Sequence, residues 1–196
     1  GCVRCVDIGQ SGEHPFLLWA GVGLDAFVIH RIEPRSAIEK RFAMAHYAAS
    51  IFWHAADWKG INLSIHTDGD QIEGHFLVAV LSNVQLYAGG TARLSPESRL
   101  DDGRMEIWLF EGDTLGDAVQ RIWDLWGGRH IDSKFVHHLA FQHLRIESQS
   151  QLYLQVDGEP VQAASPLEVW VRPKALNILA PAQVPFPIFS QPSQPG

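Results

Sequence analysis

Basic side chains are in short supply: fifteen Lys and Arg stand against twenty-two Asp and Glu, for a formal net charge of −7. A protein that neutralises a phosphate backbone needs a basic face, so nucleic acid is excluded as a partner. Cysteine is limited to Cys2 and Cys5. This lone CxxC has neither the second ligand pair of a zinc site nor the helix start of a redox motif, and free thiols in a strand are the expectation. Long apolar runs are missing too, as is the charged and apolar leader of a secreted protein, which makes the cytoplasmic side the expected location. Nucleotide signatures are absent as well. No lysine follows a glycine loop in Walker fashion, and there is no GxSxG elbow and no HRD or DFG pair. Gly21-Val22-Gly23-Leu24-Asp25-Ala26 lacks the third glycine and the βαβ setting of a dinucleotide fingerprint.

What is present is enough for a substantial core: 196 residues, 46% of them hydrophobic, suit one large domain. The chain starts at Gly1, and residues 1–8 (GCVRCVDI) read as a strand arriving from something upstream, so a fragment of a longer protein is expected. Two segments have helical period. Ser36 with Glu39 forms a capping box, after which Ile38, Phe42, Ala45, Ala49, Phe52 and Ala56 recur at helical spacing until Lys59-Gly60. A second helix begins at Thr114, with Asp117 three residues on. It carries Leu115, Val119, Ile122 and Trp126 on one face and stops at Gly127-Gly128.

Elsewhere the period is two. Ile61, Leu63 and Ile65 precede an Asp68-Gly69 turn and a buried apolar run from Phe76 to Leu81, while Leu152, Leu154, Val156 and then Leu167, Val169, Val171 repeat the alternation. Short strands, glycine turns and two amphipathic helices predict a mainly β fold with α additions, an antiparallel β-sandwich or barrel-like domain over residues 1–181. From 182 to 196 the proline-rich composition predicts an extended or disordered tail, whose Val184, Phe186, Ile188 and Phe189 could also dock on another domain. The histidines of HHLAFQH (His137, His138, His143) fit no metal-ligand spacing and read as strand positions.

Three polar, glycine-marked turns could carry chemistry: residues 83–90 (NVQLYAGG), 100–105 (LDDGRM) and 157–159 (DGE). In Leu100-Asp101-Asp102-Gly103-Arg104-Met105 the alternating acids of an EF-hand are missing, yet Asp102 with the carbonyl groups of Arg99 and Arg104 could hold magnesium. A polar hairpin turn without an ion is the other reading. Asp157-Gly158 is a hairpin signal in its own right. Glu159, just past it, could accept a proton from a substrate hydroxyl or be an ordinary surface carboxylate. Arg31, Arg35, Lys40 and Arg41, with Trp53 and Trp58, form either a rim for an anionic membrane or a solvated helix face.

Read in order, these segments resemble the carboxy-terminal domain of the diacylglycerol kinase-like lipid kinases, the bacterial soluble type related to sphingosine and ceramide kinases. FLLWAGVGLDAFV (16–28) looks like that family's glycine-x-glycine-x-aspartate-alanine segment, and NVQLYAGG (83–90), followed by Ala92 and Pro96, resembles its asparagine-to-glycine loop. LDDGRMEIWLF (100–110) resembles its aspartate-glycine turn and following strand. Gly128-Arg129-His130, Val156-Asp157-Gly158-Glu159 and VRPKALNILAP (171–181) resemble three further motifs. YAGG replaces the usual three-glycine run, which places Ala88 where the backbone needs positive φ.

The resemblance implies a two-domain enzyme. An amino-terminal domain absent from this chain binds ATP, while this domain presents a lipid alcohol, with Glu159 as the base and Arg99, Asp102 and Arg104 forming a magnesium site that holds the turn in shape. It also implies a transient membrane surface as a partner. The isolated chain is then expected to be inactive, because phosphoryl transfer depends on positioning donor and acceptor together. The alternative is a noncatalytic β-sandwich module that binds lipid or another ligand.

Overall fold

A computed structural model describes residues 1–32, 58–181, 184 and 187–190. The expected helix from Ser36 to Ala56, with Arg35, Lys40, Arg41 and Trp53, lies outside the described residues.

Thirteen strands are described: β1 (Cys2–Ser11), β2 (His14–Phe16), β3 (Trp19–Gly23), β4 (Ile61–Thr67), β5 (Gln71–Ser82), β6 (Leu86–Tyr87), β7 (Ala92–Arg93), β8 (Met105–Glu111), β9 (Val136–Phe141), β10 (His143–Glu147), β11 (Tyr153–Val156), β12 (Glu159–Gln162) and β13 (Leu167–Ala180). Eleven of them form one sheet in the order β12-β11-β3-β5-β4-β10-β13-β1-β2, with β8 added beside β5 and β9 beside β8. The β6–β7 ribbon stands apart. Each pairing in the main sheet is antiparallel, as the hairpin-rich sequence requires.

The sheet curls because β5 is shared. Its first half pairs with β4 and its second half lies between β3 and β8, with a register shift between Phe76 and Val78 where the neighbours change. Bulges of this kind sharpen strand twist. The concave side holds the main core, in which Phe76, Phe141, Leu81, Ile107, Leu144 and Leu154 are almost completely removed from water. The alternation seen in Ile61, Leu63, Ile65 and in Leu167, Val169 corresponds to inward positions of this core. The Asp68-Gly69 turn joins β4 to β5, and Asp68 reaches across to accept the amides of Gln142 and His143 at 2.6 and 3.1 Å.

Helix α1 (Leu24–Ile32) follows β3 directly and has no counterpart in the sequence-based expectation, since its glycine-rich start reads as a loop. Trp58 is buried against Phe27 and donates its indole N–H to the Leu77 carbonyl at 3.0 Å. It therefore belongs to the core and not to a membrane-facing rim.

Helix α2 (Leu115–Trp126) starts where the capping box predicts, with Thr114 Oγ1 accepting the Asp117 amide at 3.1 Å and Asp117 accepting the Thr114 amide at 3.1 Å. Its buried face differs from the expected one. Ala118, Arg121 and Leu125 point inward, whereas Ile122, Trp123 and Trp126 are exposed. The Arg121 guanidinium crosses Phe135 at 4.5 Å and reaches Asp124. A long cationic stem thus occupies a position that hydrophobic periodicity assigns to an apolar residue.

Both cysteines are free thiols on β1, and among the described residues no cluster of three His, Cys, Asp or Glu side chains could hold a metal. His137 and His143 pair with Glu111 and Glu168 on the sheet surface. No helix among the described residues is long and apolar enough to cross a membrane. Thr114→Ala removes the α2 cap and is expected to lower unfolding stability by about 1 kcal/mol, read as a shift in the urea midpoint at unchanged slope.

Candidate functional site

The polar turns singled out from the sequence come together on one rim of the sheet. Asp157 and Gly158 both have positive φ, +47° and +90°, as a two-residue hairpin between β11 and β12 requires. Asp157 does more than turn the chain. Its carboxylate accepts three consecutive amides, from Leu17, Leu18 and Trp19 at 2.7, 2.8 and 3.0 Å, and its own amide donates to the Trp19 carbonyl. The β2–β3 connection is thereby tied to the turn that presents Glu159, which is exposed as the first residue of β12.

From that connection the rim runs to Asn83, just past the end of β5. Its amide donates to the Leu18 carbonyl at 3.0 Å, and its side-chain Nδ2 donates to the carbonyls of Leu17 and Asp7, both at 2.9 Å. Asp7 is the next link and is fully buried. The register of β1 against β13 shifts between Val6 and Ile8, so Asp7 drops out of the ladder. Its amide donates to Leu100 O at 2.7 Å, while its two carboxylate oxygens accept the amides of Gly103 and Lys174 at 2.6 and 2.7 Å. One aspartate thus holds the Asp101–Arg104 turn against the sheet.

Within that turn Gly103 has φ +76°, which a glycine adopts without strain. Asp102 Oδ1 accepts the Arg104 amide at 3.0 Å, an Asx arrangement. The residue is open to solvent on one side. Burial on the protein side nevertheless raises the Asp102 carboxyl above the ordinary carboxylate range, and the charges of Asp7 and Asp101 push it the same way. Both Asp7 carboxylate oxygens and Asp101 Oδ1 are already taken by main-chain amides, so the oxygens this turn could offer a hard cation such as magnesium are the Asp102 carboxylate and main-chain carbonyls. The Arg99 guanidinium folds back onto the carbonyls of Glu97 and Ser98 at 2.8 and 3.0 Å. Only its main chain is then left to serve the turn.

A second carboxylate was not singled out from the sequence. Asp25, at the start of α1, accepts from Tyr87 Oη at 3.2 Å and from Gln155 Nε2 at 3.1 Å. Gly21 makes room for it, since a Cβ there would fall 1.9 Å from Asp25 Oδ2. Burial raises the Asp25 pKa, and the bonds from Gln155, Ala26 and Tyr87 oppose the rise only in part. Sequence reasoning also missed the linking role of Asp7. A usable signal existed in each case: an acid between Val6 and Ile8 for Asp7, and an acid two residues after Gly23 for Asp25.

Beside the rim opens an apolar cleft of about 230 Å³ between Leu18, Trp19, Leu86, Leu100 and Ile188, with Asn83 among its lining residues. That is below the range of a pocket for a whole drug-sized ligand. Leu18 and Trp19 serve both features: their amides hold Asp157, and both residues line the cleft. Ala88 and Gly89 in the loop joining β6 to β7 have φ +51° and +68°. The methyl of Ala88 is carried in the left-handed region that its place in YAGG implies.

A carboxyl whose folded pKa is raised binds its proton more tightly in the native state. The contribution of Asp25 to stability is therefore greatest below 3.8 and declines as pH rises through the folded value. Asp25→Asn is expected to raise the Tm at neutral pH, with the gain shrinking as pH falls towards 4; thermal melts of both proteins across this pH range check it.

A family model described as the YegS C-terminal NAD kinase beta sandwich-like domain matches residues 19–180. Among curated proteins, the chain is 28% identical over 181 residues to a Pseudomonas putida protein named "Probable lipid kinase YegS-like", covering 92% of this chain and 58% of that one. It is 22% identical over 162 residues to "Diacylglycerol kinase" of Bacillus subtilis, covering 81% and 52%. A crystal structure of a diacylglycerol kinase from Bacillus anthracis str. Sterne shares the fold with a TM-score of 0.63 at 19% identity, over 90% of this chain and 56% of that one. The chain thus spans a little over half the length of the relatives it matches. The matched region runs from Trp19 on the rim to the last residue of β13, and on that span the chain belongs to the YegS C-terminal NAD kinase beta sandwich-like domain family.

Proposed function

We propose that this domain presents a lipid alcohol for phosphorylation in an ATP-dependent lipid kinase of the diacylglycerol or sphingosine kind, the nucleotide being held outside this chain. The observation that carries the reading is the junction of an exposed acidic turn with an apolar cleft: Leu18 and Trp19 bind Asp157 through their amides and are also among the residues that line the cleft. The apolar part of the acceptor rests in the cleft, and its hydroxyl lies on the rim side. The names of the relatives, lipid kinase and diacylglycerol kinase, support the same class.

In the reaction, Glu159 takes the proton from the acceptor hydroxyl, the oxygen attacks the γ-phosphorus of ATP, and ADP leaves. The exposed position of Glu159 suits a group that must meet substrate, and its hairpin is held by four hydrogen bonds between Asp157 and residues 17–19. Fixing a base in this way lowers the cost of alignment in the transition state. Asp102, with the carbonyl oxygens of Arg99 and Arg104, would hold magnesium, whose charge offsets the crowding of Asp7, Asp101 and Asp102 and stiffens the turn. A lipid acceptor also brings the protein to a membrane surface. Trp123 and Trp126, 60% and 54% exposed on α2, are residues of the type that settles at such interfaces.

Glu159→Gln in the full-length gene product is expected to lower turnover on diacylglycerol or sphingosine by roughly 10²–10⁴-fold without changing the melting temperature; wild-type turnover in the variant removes Glu159 as the base. For the metal, magnesium is expected to raise the Tm of the chain and to leave Asp102→Ala unmoved. An equal magnesium response in both proteins counts against the site.

A further inference from the structure

A four-residue piece of the proline-rich tail lies in the cleft wall. The Pro187 carbonyl accepts Gln85 Nε2 at 3.1 Å, the Ile188 carbonyl accepts the Leu100 amide at 2.9 Å, and the Ser190 amide donates to Asp101 Oδ1 at 2.6 Å. Phe189 sits under the Arg4 guanidinium, 4.9 Å from its ring centroid. All four residues of this piece are engaged, and three different parts of the domain hold them. Ile188 lines the cleft together with Leu18, Trp19 and Leu86.

A proline-rich segment loses less chain entropy on docking than an ordinary one, and main-chain hydrogen bonds hold it whatever its side chains are. Ile188 can therefore vary in size without undocking the strap. We infer that residues 187–190 form a strap that supplies one wall of the apolar cleft, with Ile188 setting how much alkyl chain the cleft accepts. The inference rests on the reading that the cleft receives the apolar part of a lipid alcohol. It adds the residue that selects among chain lengths. The strap also touches Asp101 through the Ser190 amide, so it is bonded to the turn that carries Asp102.

The test uses 1-monoacylglycerols of increasing acyl length, each below its micelle concentration, titrated calorimetrically into the wild-type chain, Ile188→Ala and the chain ended at Pro181. While added methylenes still find apolar wall, affinity rises by about fourfold for each, and it levels off at the length the cleft can hold. Ile188→Ala is expected to move that plateau to longer chains. The shortened chain is expected to lose roughly tenfold in affinity for the short acyl chains, and hydrogen exchange at the Leu100 amide is expected to become fast in it. Binding with the same length profile in all three proteins overturns the role of the strap and leaves the lipid reading standing. No binding of any monoacylglycerol to the wild-type chain overturns both.

Discussion

The rim depends on one residue leaving a ladder. Asp7 falls where β1 slips against β13, and the amide and carbonyl that the slip releases bond to Leu100 and Asn83 instead of to a neighbouring strand. Its buried carboxylate then collects the amides of Gly103 and Lys174. A buried carboxylate without such donors would cost far more than a strand can recover. The burial of Asp7 and the shape of the Asp101–Arg104 turn are therefore one arrangement. Through Asn83 the same set of bonds reaches Leu17 and Leu18, and through them Asp157 and Glu159.

This chain of bonds joins segments far apart in sequence while leaving the acidic groups at its two ends, Asp102 and Glu159, open to solvent. Burial raises the Asp102 carboxyl above the ordinary carboxylate range, and the neighbouring charges of Asp7 and Asp101 add to the rise. The proposed function assigns this rim to a cation and a substrate hydroxyl, and its apolar neighbour to a hydrocarbon chain. The function proposed for the domain requires that pairing of a charged edge with a greasy cleft. Neither part would serve alone.

Much of the fold was legible before the structure. Period-two alternation marked β4, β11 and β13, the Asp68-Gly69 and Asp157-Gly158 turns fell where their residues placed them, and the Thr114–Asp117 box located the start of α2. These signals are local, set by backbone sterics and by which side of a strand meets water. The face of α2 was misassigned because Arg121 buries its stem beside Phe135 while Ile122 and Trp126 stay outside; hydropathy cannot register that a charged head has found Asp124. Helix α1 went unread because the glycines before it look like a loop, whereas one of them, Gly21, makes room for the Asp25 carboxylate.

By itself the sequence determined the class of the domain, its antiparallel pairing, its hairpin turns and the three polar, glycine-marked turns worth inspecting, since each follows from residue type and spacing along a short stretch of chain. Only the tertiary structure decided which of those segments meet. Asp7 and Gly103 are 96 residues apart, and Leu17 and Asp157 are 140 apart; nothing local in either member of a pair specifies the other. Such contacts are settled only when the sheet curls and the core closes, because only then do these amides and carboxylates lie within bonding distance.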